Sequence, residues 1–422
     1  MRRLTLAWGT TALLLAAIPV AASAQPPPAA RALTSALNSG LRQIGGASSA
    51  YVVDMTTGQV MYSRAANVGR LPASVEKLYT TSTALLRYGP TATLTTSVFA
   101  SGWMDAQGVW HGNLYLKGGG DPTFGSQTFD HTAYGTGATV QRLVSNLKRT
   151  LHLTAVHGWI VGDESYFDSR RGTPATGFST NLPDVEGELS ALAYDRGFAD
   201  PAGFVPQARP ALYATQQFAA ALRAAHIKVP ARTPMVTGRT PVTAQQVAVV
   251  QSPPMSTLIA LTNTPSDNYF AEMLLKGLGA RFGGAGTTAA GVAVVRSEIS
   301  SQFGITPRFN DGSGLSRSDF TSPIQVVTLL EHMYTNTVFF NSLAVGGETG
   351  TLQNETQGTA AQGACHGKTG TLPDVAALAG YCHAADGHEL VFAFLANNLS
   401  NPDAVHAIED DQMAAALAKY DG

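Results

Sequence analysis

Leu71-Pro72-Ala73-Ser74-Val75-Glu76-Lys77-Leu78-Tyr79 is the stretch on which the reading of this chain turns. Pro72 pre-sets a backbone angle suited to a helix start. From Val75 to Leu86 there is neither Gly nor Pro, and Leu78, Leu85 and Leu86 keep helical spacing. Ser74 and Lys77 are three apart, so they share one face of the first turn. A capping box would place Glu or Gln at position 77, and a cation there opposes the helix dipole. Lys77 is thus poorly placed for helix stability and well placed for chemistry. The positive helix end and burial both lower a lysine pKa, and a neutral amine can take the Ser74 proton. Ser-x-x-Lys alone also fits an ordinary surface helix.

Working outward, Ser49 to Met55 and Gln59 to Ser63 are strand-like, joined by a turn at Thr56-Thr57-Gly58 and preceded by a short helix. Further back, Arg2 and Arg3, an apolar run from Leu13 to Val20 and Ala22-Ser23-Ala24 form a secretory signal peptide, residues 1–24. Its apolar run is too short to span a membrane. Pro26, Pro27 and Pro28 follow as an extended tail. The mature protein is expected to be exported, to the periplasm or elsewhere outside the cytoplasm, with no transmembrane anchor. Apolar residues make up 44% and charged residues 13%, a globular profile. A formal net charge of −2 offers no basic face for nucleic acid.

Residues 91–250 have another texture, with short strands (Leu94 to Ser101, Val109 to Lys117, Val156 to Val161, Gln246 to Val250) and helices at Thr139 to Lys148 and Thr215 to His226. We read them as an inserted, β-rich accessory region. It divides a main domain built from residues 25–90 and 251–422. After Pro253-Pro254 helices return at Met255 to Leu261, Asn268 to Leu278, Ala289 to Phe303 and Pro323 to Tyr334. Strands at Gly363 to Leu372, Val375 to His383 and Glu389 to Asn397 precede a closing helix from Asp403 to Tyr420. Strands at both ends with helices between predict an α+β fold whose sheet joins the first and last segments.

Two further clusters carry chemistry. Ser266-Asp267-Asn268 opens a helix, where each residue type also favours an N-cap. Lys368-Thr369-Gly370 lies in a strand, where Gly370 marks close approach by a ligand or backbone and Lys368 and Thr369 suit a carboxylate. Gly367-Lys368-Thr369 is not a phosphate loop, because position 362 is Gln. Neither a Gly-x-Ser-x-Gly elbow nor a His-Glu-x-x-His motif occurs. Ser-x-x-Lys, Ser-Asp-Asn and Lys-Thr-Gly in this order are the signature set of β-lactamases and penicillin-binding proteins.

On these motifs, and on Gly112 to Pro122, Ile160 to Phe167, Ser252 to Leu258 and Asp311 to Arg317, the chain resembles the class C low-molecular-mass penicillin-binding proteins. These are D-alanyl-D-alanine carboxypeptidases that often act as endopeptidases too. The resemblance covers nearly the whole mature chain. It implies a penicillin-recognising fold, a five-stranded antiparallel sheet with helices on both sides plus extra domains. The insert is shorter than usual for the family, so an accessory subdomain is expected to be reduced.

The resemblance also implies roles. Ser74 attacks the carbonyl between the terminal D-alanines of a peptidoglycan stem peptide, with Lys77 as base. Ser266 relays a proton to the leaving amine, and Asn268 holds Lys77 and the substrate amide. Backbone N–H groups of Ser74 and Thr371 form the oxyanion hole. Lys368 and Thr369 bind the terminal carboxylate, Gly370 and Thr371 also contact the substrate, and Arg317 meets a carboxylate on the stem. β-Lactams acylate the same serine. No cofactor or metal is implied, and homo-oligomerisation is left open. A β-lactamase of the same fold is the alternative, but it has no need of the insert of about 190 residues between Ser74 and Ser266. A non-catalytic peptidoglycan-binding module would not need Ser74, Lys77, Ser266, Asn268 and Lys368 intact.

The two cysteines, Cys365 and Cys382, suit one bridge in an oxidising compartment. Opposed residues in an antiparallel hairpin have a constant sum, and if Leu372 faces Val375 then Cys365 faces Cys382, both pairs summing to 747. A disulfide between them is expected.

Overall fold

The computed structural model describes residues 27–45 and 47–422; the signal peptide read at 1–24 lies outside them. Its larger sheet runs Cys365–Leu372, Val375–His383, Glu389–Asn397, Ala47–Asp54, Gln59–Arg64, and the two-residue strand Ala344–Val345 extends it beyond Cys365–Leu372. Every pairing in it is antiparallel. The first long strand therefore lies between the last strand and its own hairpin partner.

Side-chain alternation explains why the central strands read as unbroken apolar runs. Ala376, Leu378, Leu390, Phe392 and Phe394 face one side, packed on Leu33, Leu37 and Leu41 of the helix Pro28–Ile44 and on Met413 and Leu417. Ala377, Ala379, Val391, Ala393 and Leu395 face the other, against Leu78, Met255, Phe270 and Leu330. With both faces covered, every position from Val375 to Cys382 and from Leu390 to Asn397 is buried. Full burial of Phe392 or Leu395 contributes roughly 1.5–3 kcal/mol each.

The insert carries a second sheet, in the order Gln245–Gln251, Thr95–Met104, Val109–Gly118, Ile160–Asp163, Met235–Thr237. The helices Val140–Leu151 and Pro210–Ala224 cover it through Leu143, Leu147, Phe218 and Leu222, a core of its own. Phe167, Val185, Leu189 and Ala191 return instead to the core around Leu78 and Tyr79. That return brings part of the insert against the Ser266 turn.

Several elements differ from their sequence reading. Pro28 opens a 17-residue helix rather than lying in a tail, because Pro fits the first helical position. Val156 to Val161 is two strands, Ala155–His157 and Ile160–Asp163, broken at Gly158, where a Cβ would lie 1.9 Å from the Gly112 carbonyl oxygen. The helix Gln127–Tyr134 was not foreseen. The closing helix is interrupted by a π-helical turn, Glu409–Ala414. Leu372 faces Val375 and Cys365 faces Cys382, and a disulfide joins the two cysteines with Cα atoms 4.1 Å apart. Among the described residues no helix is long and apolar enough to cross a membrane.

Candidate active site

The Ser74 turn is tighter than an α-helix. Ala73–Glu76 forms a 3₁₀ turn before the α-helix Lys77–Tyr88. Side chains three apart eclipse in 3₁₀ geometry, which stacks Lys77 on Ser74, Nζ to Oγ 2.8 Å. Ala73 takes a left-handed φ of 45° to enter the turn, a costly conformation for a residue with a Cβ. Gly314, φ 85°, presses on it: a Cβ there would lie 1.9 Å from the Ala73 carbonyl oxygen.

Lys77 is fully buried. Besides Ser74, its Nζ donates to Asn268 Oδ1 at 2.6 Å and to the Ser313 carbonyl at 2.8 Å. The Asn268 amide is oriented by its own Nδ2, which donates to the Asp184 carbonyl at 2.7 Å, so Oδ1 is left to accept. A neutral amine has two N–H donors and one lone pair. The Asn268 and Ser313 oxygens take the donors, and the lone pair is left for the Ser74 hydroxyl proton. Burial brings the Lys77 pKa down to about 8, against the opposing pull of Glu186, Asp267, Asp311 and Glu272. Burial also pushes Lys368 well below the usual lysine range, and the neighbouring Lys77 adds to it.

Ser266 stands half-buried at φ 68°, and Asp267 caps the helix Asn268–Phe282 by accepting from Phe270 N at 2.8 Å. The insert braces this turn. Arg196 forks onto Asp267 at 2.5 and 3.1 Å, and Glu186 Oε2 accepts the Asn268 N–H at 2.9 Å. Asp184, Glu186 and Arg196 escaped the sequence reading, because these contacts span some seventy to eighty residues without a local pattern.

The strand Cys365–Leu372 forms the opposite wall. A Cβ on Gly370 would lie 2.6 Å from the Pro72 carbonyl oxygen and 3.0 Å from Ser74 N, so the strand runs against the Ser74 turn. Lys368, two residues away on the same side of the strand, is fully buried and donates to the Thr369 carbonyl at 2.8 Å. Thr369 and Thr371 point the other way in the pleat. Thr369 Oγ1 donates to Thr351 Oγ1 at 2.7 Å, and exposed Thr371 pairs its hydroxyl with His406 Nε2 at 2.8 Å. Arg317, which the resemblance assigns to a carboxylate on the stem, is engaged within the chain. Its guanidinium forks onto Asp374, with the second contact at 2.8 Å. The fork is already filled by a carboxylate of the chain itself, and it ties the Asp311–Arg317 loop to the turn after the Lys368 strand.

A helix-borne serine beside a buried lysine, an asparagine from a second helix and a lysine on the facing sheet edge, in a mixed fold with a central antiparallel sheet, define the penicillin-recognising serine hydrolases. The chain belongs to the D-Ala-D-Ala carboxypeptidase 3 (S13) family, whose model matches residues 30–181 and 178–420. It is 30% identical to a D-alanyl-D-alanine carboxypeptidase of Actinomadura sp. (strain R39) over 461 residues, which cover 90% of this chain and 82% of the relative. Its fold matches penicillin binding protein 4 of Haemophilus influenzae with a TM-score of 0.74 at 18% identity, covering 91% of this chain and 99% of the other. A predatory endopeptidase of Bdellovibrio bacteriovorus, solved with an immunity protein, matches at a TM-score of 0.51 and 17% identity, covering 86% and 90%. The protein is thus a serine-type D-Ala-D-Ala carboxypeptidase of the penicillin-binding class.

Proposed function

We propose that Ser74 is the nucleophile that removes the terminal D-alanine from peptidoglycan stem peptides. The arrangement of Lys77, with two N–H acceptors fixed and its third direction on Ser74 Oγ, carries this reading. Lys77 takes the hydroxyl proton as Oγ bonds to the carbonyl carbon. The backbone N–H groups of Ser74 and Thr371 receive the oxyanion. As the tetrahedral intermediate collapses, the C–N bond breaks and the proton passes through Ser266 to the departing D-alanine amine. Lys77 then activates the water that cleaves the ester. The Thr369 and Thr371 hydroxyls receive the terminal carboxylate, with Lys368 behind them on the other face of the strand and Gly370 providing the close approach to Ser74, and β-lactams enter by the same acylation. The protein works outside the cytoplasm, after removal of residues 1–24. The test is labelling with a fluorescent penicillin, mass mapping of the adduct and release of D-alanine from a pentapeptide. Ser74→Ala should fold and lose both, and stoichiometric labelling of that variant would overturn the assignment. A cross-linked stem dimer in the same assay measures endopeptidase action. An adduct lasting hours marks a peptidase, and one lasting less than a second a β-lactamase.

A further inference from the structure

Glu272 lies four residues after Asn268, one turn along the same helix, and such residues share a face. It is fully buried. Its Oε1 accepts two backbone N–H groups, from Gly312 and from Ser313, both at 2.9 Å. The Ser313 carbonyl is one of the two acceptors that orient Lys77 Nζ, and Asn268 Oδ1 is the other. Both acceptors are therefore set by one helix face, Asn268 directly and Glu272 through the loop. The loop leaves no slack between them. Thr80 Oγ1 donates to the Gly312 carbonyl at 3.0 Å, Asp311 Oδ1 accepts Gly314 N at 2.8 Å, and a Cβ on Gly312 would lie 3.0 Å from the Ala271 carbonyl oxygen.

We propose that Glu272 is a positioning residue for the Ser74–Lys77 pair, deepening the functional reading above: by holding the Gly312 and Ser313 amides it aims the Ser313 carbonyl at Lys77 Nζ, so that the amine lone pair faces Ser74. Without it the loop loses the anchor that turns residue 313, and the amine keeps only Asn268 to fix its direction. Other charged groups face this region. Glu76, Asp311 and Asp319 stand near Glu272, while Glu186, Asp267 and Asp311 act on Lys77 together with Glu272 itself; Lys368 is the neighbouring cation. One turn beyond Glu272, Lys276 is occupied by Asp168 at 2.6 Å and by the Arg170 carbonyl at 2.9 Å.

Two variants separate aim from bulk stability. Glu272→Gln keeps an oxygen that can accept both amides; Glu272→Ala removes the acceptor. Both are followed by thermal unfolding and by the rate of penicillin acylation across pH. A shift of about 1 Å at a reacting group costs on the order of 10²-fold in rate. Glu272→Ala should lose about that factor per folded molecule at every pH. Glu272→Gln should stay within a few-fold of the parent at high pH, because the acceptor of both amides is kept. A folded Glu272→Ala that acylates at the parent's plateau rate overturns the inference and leaves the functional reading intact. If the parent takes no label on Ser74, the functional reading falls. NMR titration of Lys77 Nζ then judges Glu272 alone. The Lys77 Nζ signal should match the parent in Glu272→Gln and be displaced in Glu272→Ala, and an unmoved signal in folded Glu272→Ala overturns the inference.

Discussion

Replacing Gly370 with alanine probes the contact between the Lys368 strand and the Ser74 turn. The new methyl would sit 2.6 Å from the Pro72 carbonyl oxygen, 3.0 Å from Ser74 N and 3.1 Å from Val75 N, where ordinary contact begins near 3.4 Å. All three atoms are backbone, so no side chain can swing away. Relief requires strand and turn to part by the shortfall, 3.4 − 2.6, about 0.8 Å. Overpacking of this kind costs typically about 1–3 kcal/mol of stability. The catalytic cost is larger, because the displaced elements carry the Ser74 amide and the Thr371 amide; a misplacement near 1 Å is worth about 10²-fold in rate. Gly370→Ala should therefore melt a few degrees lower and acylate with fluorescent penicillin about a hundredfold more slowly, with the label still on Ser74. Stopped-flow acylation beside a thermal melt separates the two effects. An acylation rate within threefold of the parent, with the melt unchanged, would refute the geometric argument.

Lys77, at about 8, should act as a base in its neutral form, so acylation should climb about tenfold per pH unit up to near 8 and then level off; a flat profile from pH 6 to 9 excludes this. Glu76 is buried with both oxygens lacking a hydrogen-bond partner among the described residues, and burial, then Asp319, Asp311 and Glu272, hold its carboxyl well above its ordinary 4.5. A raised acid stabilises the fold below its unfolded value and loses that contribution as pH rises through the folded value. Melting temperatures of Glu76→Gln and the parent should thus agree near pH 4, and the variant should gain steadily towards pH 9; a gap that shrinks with pH contradicts this. The disulfide closes a 17-residue separation, worth about 3 kcal/mol in the chain-entropy model. Denatured, unreduced protein should show no free thiol, and Cys365→Ala with Cys382→Ala should lower stability by about that amount; two free thiols would dismiss the bridge.

Legibility in the sequence tracked how local the determining physics is. Val375–His383 and Glu389–Asn397 kept the bounds read for them, because burial on both faces writes itself as an uninterrupted apolar run. Ser74 and Lys77 were visible because the contact between them is three residues long. The 3₁₀ form of their turn was not, since it begins at a left-handed Ala73 whose carbonyl is approached by Gly314 of a distant loop. The π-helical turn Glu409–Ala414, with Glu409 and Asp410 buried, has no signature of its own beyond a helix-compatible run. Arg196 and Glu186 act across the chain on the Ser266 turn, and their types alone gave no hint. Glu272 had a signal that went unused: it falls at i+4 from Asn268 on a helix already marked as functional.

A sheet closed by both ends of the chain also sets a timetable. Ser74 comes early in the chain, but the edge of Ala47–Asp54 stays unpaired until Glu389–Asn397 is in place, and the Ser74 turn has no facing wall until Gly370 is there. The insert is under no such delay. Its first and last strands pair directly, Thr95 with Gln251, so it can close as a unit before the rest has assembled. A half-assembled chain thus holds Ser74 without its facing strand. The pocket is whole only when the last strands lock in.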